Sequence, residues 1–139
     1  MIDVSHYRKA VGALLVYDVT KKLTFTDTQR WLNELKQYVE PDCVVMLIGN
    51  KVDLVDRNDK KREVSYEDAK GFAKENNLLF YETSAMSNFG VNECFEDLLQ
   101  EIYNERRKVT NKQKMLHNNM IRLAAHDKKV FNTENKCCN

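Results

Sequence analysis

Glycine and proline are scarce in this chain: four glycines, at 12, 49, 71 and 90, and one proline, Pro41, in 139 residues. None of the glycines begins a G-x-x-x-x-G-K-[ST] loop, whose backbone amides cradle phosphates and whose hydroxyl holds magnesium. Gly49-Asn50-Lys51 comes nearest, but lacks the leading glycine and the hydroxyl residue. No run of about 18 apolar residues exists, which excludes a sequence-evident membrane-spanning helix. Met1 is followed by Asp3, His6, Arg8 and Lys9, not by the apolar stretch of a signal peptide. The four cysteines, at 43, 94, 137 and 138, form no C-x-x-C pair and have no histidines at metal spacing. That usage reads as a chain of a reducing compartment.

What is present is ordinary globular material of one domain's length, 42% apolar and 31% charged. The net charge of +1 hides an asymmetry. From Arg106 onward nine Lys/Arg stand against two Asp/Glu, whereas residues 1–105 hold thirteen basic and nineteen acidic residues. An acidic body carrying a basic arm places a boundary there: a domain over 1–108 and a tail over 109–139. Six asparagines fall in that tail. Met115, Leu116, Met120, Leu123 and Ala124 make a weak amphipathic pattern. A short helix of that kind is marginal alone, so a flexible tail is expected.

Three apolar runs lack alternation: residues 11–17 ending at Asp18, "CVVMLI" ending at Gly49, and "LLFY" ending at Glu82-Thr83-Ser84. Continuous runs fit strands covered on both faces, as in a parallel sheet. Between them lie helical patterns. Phe25, Trp31, Leu32, Leu35, Tyr38 and Val39 recur at three and four until Pro41 closes the segment. Ser65 with Asp68 three later is an acidic variant of a capping box opening "SYEDAKGFAKENN". Cys94, Phe95, Leu98, Leu99, Ile102 and Tyr103 form the last stripe. Residues 55–64 read as a charged loop. The expected fold is α/β: an open parallel sheet of three strands and three helices with right-handed crossovers.

Ligands of such sheets bind beyond the carboxyl ends of the strands. Asp18, the Asn50/Asp53 loop and the Thr83/Ser84 loop all emerge at that edge. "GNKVDL" sets an amide, an ammonium and a carboxylate there. Guanine offers two adjacent donors, N1–H and the exocyclic amine, beside an O6 acceptor. An ionised Asp53 accepts both donors at once, whereas adenine has no N1–H to give. Asn50 is suited to donate to N7 or O6, a backbone N–H after Ser84 to O6, and Lys51 to lay its stem along the ring. A polar turn without a ligand is the competing reading of "NKVD". Its placement at a strand end, with "ETSA" at the next strand end, favours the base-reading one.

"GNKVDL" with "ETSA" resembles the guanine-recognition elements of Ras-like small GTPases. "HYRKAVGALLVYDVT", "WLNELKQYV" and the terminal "CCN" resemble the Rab branch, closest to the Rabs of recycling endosomes. The resemblance runs from about Ile2 to about Lys108 and returns at the terminus. It implies a partial P-loop GTPase-type fold, GTP or GDP as ligand and Mg2+ in the intact family. It makes Asn50, Lys51 and Asp53 base contacts, Ala85 a backbone donor and Ser84 the residue that orients Asp53. Met86 stands where many members carry lysine.

Other family elements have no counterpart: the switch I threonine, D-x-x-G and the glutamine that positions water. Compared with a Rab, the sequence begins near the end of switch II and lacks three strands and a helix. It is therefore expected not to hydrolyse GTP alone, and the strand holding Leu14 and Val16 is expected to be a bare, sticky edge. The CCN ending implies geranylgeranyl chains on Cys137 and Cys138. Effectors and the prenylation and escort machinery would be partners, on the cytoplasmic face of endosomal or vesicle membranes, or in the cytosol when free. Nothing in the sequence points to nucleic acid. Two other readings stay open: a non-catalytic fragment or pseudo-GTPase that engages Rab partners, and a phospho-receiver domain with Asp18 at a strand end.

Overall fold

The computed structural model describes Tyr7 and residues 9–134, with side chains as far as His117. The elements run β1 (Gly12–Asp18), α1 (Lys22–Tyr38), β2 (Val44–Asn50), α2 (Val52–Asp56), α3 (Tyr66–Glu75), β3 (Leu79–Glu82) and α4 (Val91–Glu134). The three strands form one parallel sheet in the order β1-β2-β3. Register pairs Asp18 with Asn50 and Gly49 with Glu82, so all three strands end at the same edge. The expected open α/β architecture is the one observed, with one addition. α2 is a single turn inside the polar stretch after β2, too short to announce itself by periodicity.

β2 carries the sheet. Its neighbours satisfy both of its edges, and Met46 and Leu47 are fully buried on opposite faces. On one face Leu15, Tyr17 and Leu47 pack with Leu32 of α1, Ala69 and Ala73 of α3, and Val64 from the charged loop. Tyr17, Phe25 and Phe72 stack edge to face at centroid separations of 5.0 and 5.5 Å, joining β1, α1 and α3. On the other face Val44, Met46 and Ile48 meet Cys94 and Leu98 of α4, with Leu14, Leu79, Tyr81 and Ile102 around them. Cys94 sits in the core as expected, whereas Cys43 lies just ahead of β2 and is half-buried.

Two helix starts show opposite origins. Ser65 accepts a hydrogen bond from the Asp68 N–H at 3.0 Å, the local cap its sequence announces. Lys21 supplies no side-chain cap to α1. Instead the Lys22 N–H donates to the Glu63 carboxylate at 2.8 Å, which brings a negative charge to the positive end of the helix dipole. That cap crosses 41 residues of sequence.

α4 continues to Glu134, through a segment whose composition favours a flexible tail. Starting a helix is the costly step and extending one is not. The first turns of α4 are already fixed by Cys94 and Leu98 in the core, so later residues only have to propagate it. One compact unit ends at Tyr103 and a second begins at Asn104.

β1 is an edge of the sheet, and Val16 on it is 55% exposed. A groove of about 340 Å3 runs beside it, lined by residues that include Tyr7, Leu14, Trp31 and Leu35. An edge strand whose one charge, Asp18, is already paired with Lys51 at its far end is a template for further pairing. The chain is expected to associate as its concentration rises, and Val16→Lys to suppress that. Sedimentation of the two chains checks it, and a monomeric wild type at high concentration would contradict it.

Gly49 is a packing requirement. A Cβ there would lie 2.6 Å from Tyr17 Oη and 2.9 Å from Cζ. Gly49→Ala should cost about 1–3 kcal/mol, the usual penalty of overpacking. Gly71, in α3, meets nothing within 4 Å. Gly71→Ala should therefore be neutral or stabilise by up to about 1 kcal/mol. Urea midpoints of the two variants provide the comparison.

Candidate functional site

Two loops leave the sheet side by side and are stitched together. The Thr83 N–H donates to Gly49 O at 2.8 Å, and the Val52 N–H to Thr83 O at 3.4 Å. Across this seam Ser84 Oγ donates to Asp53 Oδ1 at 2.6 Å, and the Ala85 N–H donates to Asn50 Oδ1 at 3.0 Å. Thr83 Oγ1 adds a longer bond to the same Asn50 oxygen, at 3.4 Å. With its carbonyl oxygen committed, Asn50 keeps its amide NH2 as the group left for a ligand. Asn50, Asp53, Ser84 and Ala85 thus form one hydrogen-bonded cluster from two loops well separated in sequence.

Backbone conformation sets these side chains. Lys51 takes a left-handed conformation, φ 71°, which turns the chain from β2 into α2 and places Asp53 in the first turn. Beyond β3 the chain doubles back. Ser84 and Phe89 exchange backbone hydrogen bonds at 3.0 and 3.1 Å, with Gly90 at φ +67° closing the turn. Ser84 Oγ also accepts from the Ser87 N–H at 3.1 Å. A fully buried Ser84 is therefore held from both sides while it fixes Asp53.

Lys51 gains a partner that the motif does not name. Its ammonium lies 2.8 Å from Asp18 Oδ2, at the end of β1. Asp18 is buried and also accepts from the Thr20 N–H at 2.9 Å and Thr20 Oγ1 at 2.7 Å. Burial pushes this carboxyl up, but Lys51 and Thr20 outweigh it and hold it down at about 2. Met86, next to Ala85 in sequence, is 83% exposed.

A second ion pair braces the same edge from below. Arg62 grips Glu82 in a two-point contact at 2.6 and 3.0 Å and donates to Val64 O at 3.2 Å. The Glu63 and Val64 N–H groups donate to Val19 O at 2.9 and 3.1 Å. The charged loop is thereby sewn to the ends of β1 and β3. Beneath it Tyr17 Oη is buried without a hydrogen-bond partner. Burial and the Glu82 carboxylate push its pKa up, against a smaller pull from Arg62, so Tyr17 stays neutral.

The family model described as the Ras family matches residues 1–104. The chain belongs to the Ras family. It is 45% identical over 102 residues to the Ras-related protein Rab-11C of Dictyostelium discoideum, and 49% identical over the same length to the GTP-binding protein ypt3 of Schizosaccharomyces pombe. Identity to the Ras-related protein RABA1g of Arabidopsis thaliana is also 49%. Each alignment takes in 73% of this chain and 44%, 46% and 45% of the respective relatives. The chain spans about half the length of the curated relatives it matches. These similarities put it in the Rab branch.

Within this Ras-family chain the sequence motifs reach part of the site. Asp18 as the partner of Lys51, and Thr83 as a second donor to Asn50, emerge only with strand register. Arg57, whose Nη2 is 3.1 Å from Asp53 Oδ2, stands at the spacing of a helical ion pair, but with no period to mark α2 as a helix that spacing carried no signal.

Because Asp18 is held below its ordinary 3.8, it contributes stability that is complete above about pH 4 and lost as pH falls toward about 2. The loss should be about 2 kcal/mol, and Asp18→Asn should flatten that part of the curve. Urea unfolding of both chains between pH 2 and about 5 tests it.

Proposed function

We propose that this chain is the guanine-selecting part of a Rab-type small GTPase of vesicle trafficking, and that by itself it does not hydrolyse GTP. The reading is supported above all by the convergence of Asn50, Asp53, Ser84 and Ala85 at one loop pair. Asp53 accepts from guanine N1–H and the exocyclic amine, with Ser84 holding it in orientation. Asn50 donates through its amide NH2. The Ala85 N–H turns from Asn50 Oδ1 toward O6, and Lys51, tethered by Asp18, lays its stem beside the ring. Met86 stands at the rim of the base.

The donor set fits a guanine base. Among the described residues no group of three or more His, Cys, Asp or Glu could hold an ion. The 139 residues also hold no phosphate loop. Charge-assisted hydrogen bonds contribute roughly 1.5–3 kcal/mol each before the cost of association. Two or three of them give roughly millimolar to high-micromolar affinity. Nothing in the set stabilises charge developing on a transferred phosphoryl group.

The family carries the remaining expectations. Rab effectors and prenylation and escort proteins are proposed partners. Lipid chains on Cys137 and Cys138 would anchor the protein to endosomal or vesicle membranes, with the basic arm adding attraction to anionic lipid. Both cysteines lie outside the described residues. A second reading, an interaction fragment without nucleotide chemistry, draws on the open β1 edge and its groove beside half-exposed Trp31.

Guanosine should shift the Ser84 and Ala85 amide resonances while adenosine does not, and Asp53→Ala should weaken guanosine by about ten-fold or more. Multiple-turnover phosphate release should stay at the level of a protein-free control. Release above it would contradict the hydrolysis claim. Absence of any guanosine-induced shift in the folded chain would favour the second reading.

A further inference from the structure

We propose that Arg57 occupies the carboxylate that reads the base, so that guanine must displace it to bind. The inference rests on the base-site reading above and adds an internal competitor to it. Asp53 has two carboxylate oxygens. Oδ1 takes the Ser84 hydroxyl at 2.6 Å, and Oδ2 takes Arg57 Nη2 at 3.1 Å. A guanidinium presents planar N–H donors to a carboxylate in the same manner as the N1–H and amine edge of guanine. Arginine and base therefore compete for one acceptor, by one chemistry.

Exposure makes the competition matter. The Asp53 side chain is only 13% exposed, and Arg57 is 54% exposed. The carboxylate has little surface left for a second ligand while Arg57 stays, and Arg57 has open solvent into which to withdraw. α2 brings the two together, since residues four apart on a helix lie on one face. Arg57 also has a second anchor: its Nε lies 3.1 Å from Asp59 Oδ2. Asp59 holds the guanidinium beside the site after displacement, so that leaving Asp53 does not strand the charge.

The effect is modest by construction. An exposed ion pair is weak, and a site occupied by its own competitor loses apparent affinity in proportion to the fraction blocked. Removing Arg57 should tighten guanosine binding by about two- to five-fold. Salt supplies a signature that a purely structural role lacks. Guanosine is neutral, whereas the Arg57–Asp53 pair is charged and is screened as ionic strength rises. Guanosine should bind the wild-type chain more tightly in high salt, approaching the Arg57→Ala variant, whose own affinity changes little.

The experiment titrates guanosine into the full chain, wild type, Arg57→Ala and Arg57→Gln, at low and high salt, following the Ser84 and Ala85 amide resonances. Adenosine is the control, and a thermal melt of each chain reports its folding. Tighter binding in both variants, with salt-dependent affinity in the wild type alone, supports the gate. Measurable guanosine binding that is equal or weaker in both folded variants overturns it and leaves the base site standing. Absence of guanosine binding in all three chains overturns the base-site reading and the gate with it.

Discussion

The sheet and the helices packed on it are arranged around one requirement: β2 is paired along both edges and buried on both faces. Met46 and Leu47 lie fully covered on opposite sides of it, which demands helices above and below the sheet. α1 and α3 cover one face, and α4 the other. The crossovers that carry them keep the strands parallel, and parallel strands end together. The Asn50 loop and the Ser84 loop are adjacent for that reason, before any of their polar groups meet. The polar cluster at the sheet edge is thus a by-product of how an apolar strand is buried.

On that scaffold the polar cluster is nearly complete without a ligand. Asp53 is aimed by Ser84, Asn50 by Ala85, and Lys51 by Asp18. Groups fixed in advance lose little freedom when they bind, which favours selectivity even where total affinity is low. The same completeness has a cost, because Ala85 and Asp53 each already hold a partner. On the proposed reading, a base that enters the cluster would exchange hydrogen bonds and gain less than a simple count of contacts suggests.

The strands, their order and their shared edge were readable because short unbroken apolar runs, each ending in polar residues and separated by helical patterns, fit buried parallel strands. Ser65 was readable because its cap is local. The cap on α1 was not, since Glu63 reaches Lys22 only after the fold forms. α2 is one turn long and has no period to detect. The continuation of α4 follows from a helix already started, which composition beyond residue 108 does not reveal. Asn50, Asp53, Ser84 and Ala85, named by short motifs, lie together in one hydrogen-bonded cluster. Asp18 was placed at the edge, but its tie to Lys51 was not readable because it depends on the register of β1 against β2.

The contact between Tyr17 and Gly49 reaches beyond packing. The two face each other across the sheet, and the tyrosine hydroxyl, which makes no hydrogen bond, is the atom that a side chain at position 49 would strike first. A phenylalanine at 17 would remove the unpartnered hydroxyl, yet its Cζ at 2.9 Å and Val19 Cγ1 at 3.0 Å would still crowd a Cβ at 49. No single exchange opens that position. Tyr17 and Val19 together confine to glycine the strand end that delivers the Asn50 loop.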